Sequence, residues 1–315
     1  MVHYKELRHI LTAEAREHLG FGHAKVWRDS VVTGRKSAAF ISTQNGQITL
    51  HSDTGQSGGH VRRLPLKNLL RTILSGATNA AEHCTLVRQE MAAWTQLQLE
   101  PSALRKPDSF TAPTVLAPNG EHLPAALHAL VMAAGKEEGE NLLARIANDL
   151  SQLVETVRSL RVDLDDRRQS ISVVLQDDMG TDHFASSLSD GTLRFLALIV
   201  LKNSTAGHQV LCLEEPENGI HPRRIRPMLS LLRDLVVDPE FPVNETNPFR
   251  QVILNTHSPL VVEELSYDPA TRDSILFMES VGISEHGIHG RNVQFFGVEG
   301  TWRKKEREGG RERDR

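Results

Sequence analysis

The sequence is poor in the residues that staple, coat or anchor a fold. Its 315 residues contain two cysteines, Cys84 and Cys212. That excludes a disulfide framework and a cysteine-rich zinc site, and it fits a reducing compartment. Charge of one sign is also lacking: the formal net charge is -4 and the isoelectric point is near 6.4. An overall basic coat for nucleic acid is therefore excluded, and any DNA contact must be local. The apolar stretch around Phe195 to Leu201 falls far short of the roughly 20 residues a membrane span needs, and the opening MVHYKELRH has no apolar core of a signal peptide. No membrane partner is expected, and a cytoplasmic location is. There is no internal repeat. What is present, 39% hydrophobic and 24% charged residues, describes a globular protein with a sizeable core, in one large domain or two lobes.

The spacing of Leu7, Ile10, Leu11 and Ala15 predicts a helix from Tyr4 to His18, an abrupt opening that reads as a fold entered midway. Two short alternating runs, Ala38 to Ser42 and Gln47 to Ser52, flank Gln44-Asn45-Gly46, so an antiparallel hairpin is expected there. Leu66 to Gln98 and His122 to Leu160 read as helices of a helical lobe, separated by a Pro-containing loop from Pro101 to Pro118. After a strand at Ser170 to Gln176, a helix beginning at Ser189 carries Leu193, Leu196, Ala197, Val200 and Leu201 on its apolar face. Strands at Gln209 to Leu213, Gln251 to Asn255 and Ser274 to Met278 then alternate with helices at Pro222 to Asp238 and Ser258 to Leu265, an order that predicts a parallel α/β arrangement. Asn292 to Phe296 reads as a last edge strand and Arg303 to Arg315 as a disordered charged tail.

Three segments carry chemistry. Val210-Leu211-Cys212-Leu213-Glu214-Glu215-Pro216 is a buried strand that ends in two carboxylates and a helix breaker. Ligands of open α/β sheets bind at the carboxyl ends of strands, so Glu214 is placed to hold Mg²⁺ and Glu215 to polarise an attacking water. Ser187-Leu188-Ser189-Asp190-Gly191-Thr192 opens an apolar helix whose free N–H groups and positive dipole end suit a phosphate. Val252-Ile253-Leu254-Asn255-Thr256-His257-Ser258-Pro259 is a second buried strand, with His257 at its tip and Ser258 and Pro259 starting the next helix. Taken singly, each has an ordinary reading: acids that mark the next turn, a helix cap, a loop histidine. Their order along the chain favours the chemical one.

The order SLSDGTLRFLAL, VLCLEEPENGIHP, VILNTHSPL resembles the signature motif, the Walker B motif with its D-loop, and the H-loop of ABC-type ATPase heads of the RecF/Rad50/SMC group. More narrowly it is similar to the bacterial AAA-family ATPases that share this head, closely over Ser170 to Phe296. The resemblance implies an α/β, partial P-loop NTPase head with a mixed or parallel sheet, a helical lobe and a small antiparallel hairpin. Residues 1–66 would form a truncated N-terminal ATPase lobe, 67–165 the helical lobe, 166–300 the C-terminal ATPase lobe and 301–315 the tail. It implies ATP and Mg²⁺ as cofactors, with Glu214 on the metal, Glu215 as catalytic glutamate and His257 as switch histidine. Ser189, Asp190 and Gly191 would meet ATP bound to a second ATPase head, in a homodimer or a paired subunit. Glu217, Asn218, Gly219 and His221 would form the D-loop, with Asn218 and Gly219 near nucleotide. DNA and an effector nuclease are the further partners it suggests, in DNA repair or phage defence.

One departure matters. A phosphate loop, GxxxxGK[ST], should precede these motifs, and the chain contains none. Thr33-Gly34-Arg35-Lys36-Ser37 lacks the first glycine and the required order, and Gln56 in Gly55 to Gly59 is a weak Q-loop glutamine beside an ordinary turn. The missing strand and loop are expected upstream or in a partner. Two alternatives follow: a catalytically silent subunit that supplies Ser189 and Gly191 to a complete head, and a truncated fragment. His286 and His289 read as a surface loop, and Arg223, Arg224 and Arg226 as a solvated helix start where Pro227 threatens a kink.

Overall fold

Asn45 and Gly46 both adopt positive φ, 49° and 72°, the pair of left-handed residues that a two-residue hairpin turn requires. The expected hairpin forms: β1 (Ile41–Gln44) and β2 (Gln47–Leu50) pair antiparallel from Ile41↔Leu50 to Gln44↔Gln47. In this computed structural model, residues 6–32, 34, 39–51, 62–65, 72–76, 82–204, 210–267, 274–285 and 288–298 are described. Arg35 to Ser37, the Gln56 loop, His286 and the tail from Arg303 lie outside them. The chain divides into two units, Met1–Thr95 with Gly207–Leu211 and Val237–Gln251, and Gln96–Ala206 with Cys212–Val236 and Val252–Arg315.

In the first unit, β3 (Arg62–Pro65) extends the hairpin through β2. Its cluster of Phe40, Ile41, Ile48 and Cys84 also gathers Leu7, Leu50, Leu64 and Leu74. That cluster overrides the helix expected from Tyr4 to His18. Leu7 bridges to Ile41 and Leu11 to Gly34, so among the described residues of that run only α1 (Ala15–His18) is helical. Next comes α2 (Lys25–Val31), whose buried Trp27 contacts Phe21, His23 and Phe249. The run expected as one helix from Leu66 to Gln98 instead holds a 3-10 turn (Ile73–Gly76), α3 (Glu82–Ala92) and β4 (Thr95–Leu97).

The second unit, which takes in Gln96 and Leu97 of β4, continues with α4 (Pro101–Leu104) and β5 (Asp108–Ser109). The helix expected from His122 to Leu160 is broken into α5 (Leu123–Ala134) and α6 (Lys136–Ser151) at Gly135, whose φ of 82° ends one and starts the other. The last residues of that run belong to β6 (Val157–Asp165). This strand pairs antiparallel with β7 (Ser170–Asp177), which β5 and β8 (Asp182–Phe184) flank.

Ser189 caps α7 (Asp190–Asn203), with its side chain accepting from the Thr192 N–H. The helix is buried all round rather than along one face: Phe195, Leu198 and Ile199 join the expected residues inside. It packs against α4, α5, α6 and α8 (Ile225–Leu235), and Lys202 near its end ties Asp149 of α6 to Asp234 of α8 at 3.2 and 2.9 Å. Pro222–Arg224 forms a separate 3-10 turn, so α8 begins late and Pro227 falls in its first turn, where it removes no intrahelical hydrogen bond.

A three-stranded sheet has the order β10-β9-β4, with β9 at Val210–Glu214 and β10 at Gln251–Asn255. Val210, Leu211 and Leu213 of the central strand are buried. Among the described residues the strand β10, read from its sequence as buried, lies at the edge of this sheet, and Ile253 is 54% exposed. After α9 (Pro259–Tyr267), the strand expected at Ser274 to Met278 is β11 (Leu276–Glu285). Among the described residues it pairs antiparallel with β12 (Ile288–Gly297) as a two-stranded sheet of its own. The architecture is mixed α/β.

Candidate functional site

The acid pair closes β9 where a strand becomes a tight turn. Glu214, its last residue, is exposed, and Glu215 takes φ 43°, a left-handed conformation that costs a residue with a side chain about 1 kcal/mol or more. Its N–H donates to the Asn255 carbonyl at 2.8 Å. This bond sets the acid-bearing end of β9 beside the end of β10, two residues before His257. The turn is closed by Asn218, whose backbone N–H reaches the Glu215 carbonyl at 3.0 Å and whose amide reaches Glu215 Oε2 at 3.3 Å. Gly219 completes it at φ 77°, where a side chain would be strained. Gln96 Nε2 lies 3.5 Å from Glu214 Oε2.

Glu217 turns inward. Its Oε1 accepts from Thr256 Oγ1, and its other oxygen is buried with no hydrogen-bond partner among the described residues. Thr256 Oγ1 in turn accepts from the Ser258 N–H at 2.9 Å. His257, between these two anchored residues, is exposed, as are Asn218, Gly219 and His221.

The start of α7 is built differently. Ser189 and Asp190 are exposed, and a Cβ at Gly191 would meet nothing within 4 Å. Ser189 Oγ accepts from the Thr192 N–H at 3.2 Å and shares a hydrogen bond with Thr192 Oγ1 at 2.8 Å. Arg105 Nη2 donates to Asp190 Oδ1 at 2.5 Å and to the Leu188 carbonyl at 3.0 Å. One turn along, Arg194 Nη1 donates to the Asn218 carbonyl and so links α7 to the acid-bearing turn.

The residues singled out in the sequence therefore fall in two groups of one unit: Glu214, Glu215, Asn218, Gly219 and His257 at the adjoining ends of β9 and β10, and Ser189, Asp190 and Gly191 at the open start of α7. Arg105, Arg194 and Thr256 are polar partners that sequence reading left without a role. Thr256 and Arg194 lie inside the quoted motifs, whereas nothing in the local sequence marks Arg105. Among the described residues no group of three or more histidine, cysteine or acidic side chains could hold a metal ion. The exposed Glu214 instead suits Mg²⁺, which takes one or two carboxylates and completes its shell with water and phosphate oxygens.

No curated protein matches the chain. Solved structures of SMC heads are similar to it. The Pyrococcus furiosus Smc head bound to the C-terminal domain of ScpA has 11% identity and a TM-score of 0.32, over 57% of this chain and 41% of that one. The Thermotoga maritima SMC head has 12% identity and a TM-score of 0.30, over 82% and 72%. A SmcHead bound to the C-winged helix domain of ScpA has 10% identity and a TM-score of 0.40, over 80% and 74%. The chain thus spans 41% of the length of the first of these, and likeness at this level leaves its activity to its own residues. The family model described as "AAA domain, putative AbiEii toxin, Type IV TA system" matches residues 67–263, which hold both groups of site residues. The chain belongs to this AAA-domain family.

Proposed function

We propose that the chain is an ATP-binding and ATP-hydrolysing head that completes its site with a second head. The observation that carries this reading is the bond from the Glu215 N–H to the Asn255 carbonyl, because it puts two carboxylates and the His257 loop at one edge of the sheet. Glu214 is the carboxylate for Mg²⁺, which when bound neutralises charge developing on phosphate oxygens. Glu215, held by Asn218, takes the proton of the attacking water, and His257 contacts the phosphate that leaves. Ser189, Asp190 and Gly191 offer N–H donors outward to ATP held by the opposing head, with Asn218 and Gly219 close to that nucleotide. The output is mechanical, in DNA repair or phage defence; the toxin and toxin–antitoxin terms of the family description favour defence.

The chain has no GxxxxGK[ST] loop, so this reading needs a phosphate cradle that no such motif of the chain provides. That absence also supports a second reading, in which the chain is a silent subunit lending Ser189 and Gly191 to a complete partner. Calorimetric titration of the chain with Mg-ATP separates the two: micromolar binding by the chain alone excludes the silent subunit. For the hydrolytic reading, Glu215→Gln lowers turnover of the assembled heads by about 10²- to 10⁴-fold, the usual worth of a positioned general base. Equal turnover of variant and wild type would refute the assignment.

A further inference from the structure

We propose that Glu217 is a positioning residue which, through Thr256, fastens the His257 loop to the turn that carries Glu215. The inference rests on the hydrolytic reading above and adds to it Glu217, which that reading leaves without a role.

A threonine hydroxyl has one proton to give and lone pairs to receive. Thr256 Oγ1 already receives the Ser258 N–H at 2.9 Å, so its own proton is free to point at Glu217 Oε1, which accepts it. The chain Ser258 N–H to Thr256 O–H to Glu217 carboxylate therefore runs in one direction, and it needs an acceptor at its end. His257 sits inside that chain, with the residues before and after it both tied down. The turn that supplies the acceptor is itself closed: the Ile220 N–H reaches the Glu217 carbonyl at 2.9 Å and the Asn218 N–H reaches the Glu215 carbonyl at 3.0 Å. A single short turn thus orients Glu215 on one side, through the Asn218 amide, and the histidine loop on the other, through Glu217.

The expense of the arrangement supports a positional role. Glu217 Oε2 is buried without a hydrogen-bond partner among the described residues, and a buried oxygen left so is unfavourable. A serine or alanine at this position would avoid that cost, but would leave the Thr256 proton without its acceptor. The inward rotation also keeps a third carboxylate from lying exposed beside Glu214 and Glu215.

The test uses the full chain and three variants: Glu217→Ala, Thr256→Val and Glu217→Gln. Hydrogen exchange without nucleotide reads the loop directly. The alanine and valine variants are expected to exchange about tenfold faster over residues 255–260, the loss of one net hydrogen bond. Combining the two adds little, since both remove the same link. Glu217→Gln restores slow exchange because its amide oxygen accepts the same proton. In the assembled heads, alanine and valine lower kcat and leave KM for Mg-ATP unchanged, whereas glutamine recovers turnover. Exchange that is unaltered in Glu217→Ala, or a glutamine variant no better than alanine, overturns the proposal, as does altered exchange with full kcat. If wild type neither binds nor hydrolyses Mg-ATP with any partner, the hydrolytic reading fails, while the exchange data still decide whether Glu217 holds the loop. Thr256→Val changes little besides the hydroxyl, which guards against a variant that fails to fold.

Discussion

The helix α7 and the strand β10 are both apolar runs, and the fold treats them in opposite ways. From Leu193 to Leu201 every residue of α7 except Arg194 is buried, and helices of the same unit cover it on all sides. By contrast β10 alternates between half-buried and exposed, with Ile253 54% exposed at the rim of its sheet. Hydropathy in the sequence records a demand for burial, not the neighbour that meets it. For α7 the chain meets that demand itself; for β10 the described residues do not. The two chemical groups follow the same division: the start of α7 is held rigidly by a packed helix behind it, while the His257 loop leaves from an edge and depends on polar ties.

The sharpest way to break this contrast is a cavity. Phe195 is fully buried, so Phe195→Ala should destabilise the second unit by about 3–5 kcal/mol in urea unfolding; a loss below about 1 kcal/mol would show that α7 is not the core. Removing the cap acts on the same helix with less force. Ser189→Ala should cost about 1 kcal/mol, visible as a lower thermal midpoint and faster amide exchange in the first turn of α7. On the other side, Ile253→Thr should change stability by no more than about 0.5 kcal/mol, and it should reduce self-association in sedimentation, since an apolar edge is a template for pairing. A large loss of stability there would mean that β10 is covered.

A control away from both segments has the smallest effect. Asp177 is held below its usual 3.8, first by the hydrogen bond with His183 and then by the Thr181 N–H; burial opposes these, and the Met179 N–H adds a smaller lowering contribution. A carboxyl lowered in the folded state adds stability that is complete above its unfolded value and fades as pH falls through the folded one. Asp177→Asn should therefore lower stability slightly at neutral pH and flatten the acid unfolding curve below about pH 3.8, where the wild type loses the same contribution and the two chains converge.

Much of this architecture was legible where local chemistry decides it. Asn45-Gly46 specified its hairpin, Ser189 its helix start, and Gln251 to Asn255 its strand, because turn, cap and β-branched run are local signals. The N-terminal segment was not, since Leu7 and Leu11 have helical spacing but are claimed by Ile41 and Gly34, distant in sequence. The split of the long helical run at Gly135 and the strand after it also depended on β7, which supplies the partner for β6. The candidate site divides in the same manner. Glu214, Glu215, Ser189 and His257 stand in motifs that a reader of sequence can find. The tie from Arg105 to Asp190, and the direction in which Glu217 points, are contacts between distant segments and carry no local mark.

One consequence lies in the pairing of β11 with β12. Among the described residues the two strands form ten residue pairs with each other and make a sheet of their own, and Leu276, Met278, Val293 and Phe295 are exposed on one of its faces. A ribbon of two strands gains little from burial and is marginal in water. On warming it should fray first, while the bundle around α7 is still intact, so that melting begins as a local event and becomes global only later.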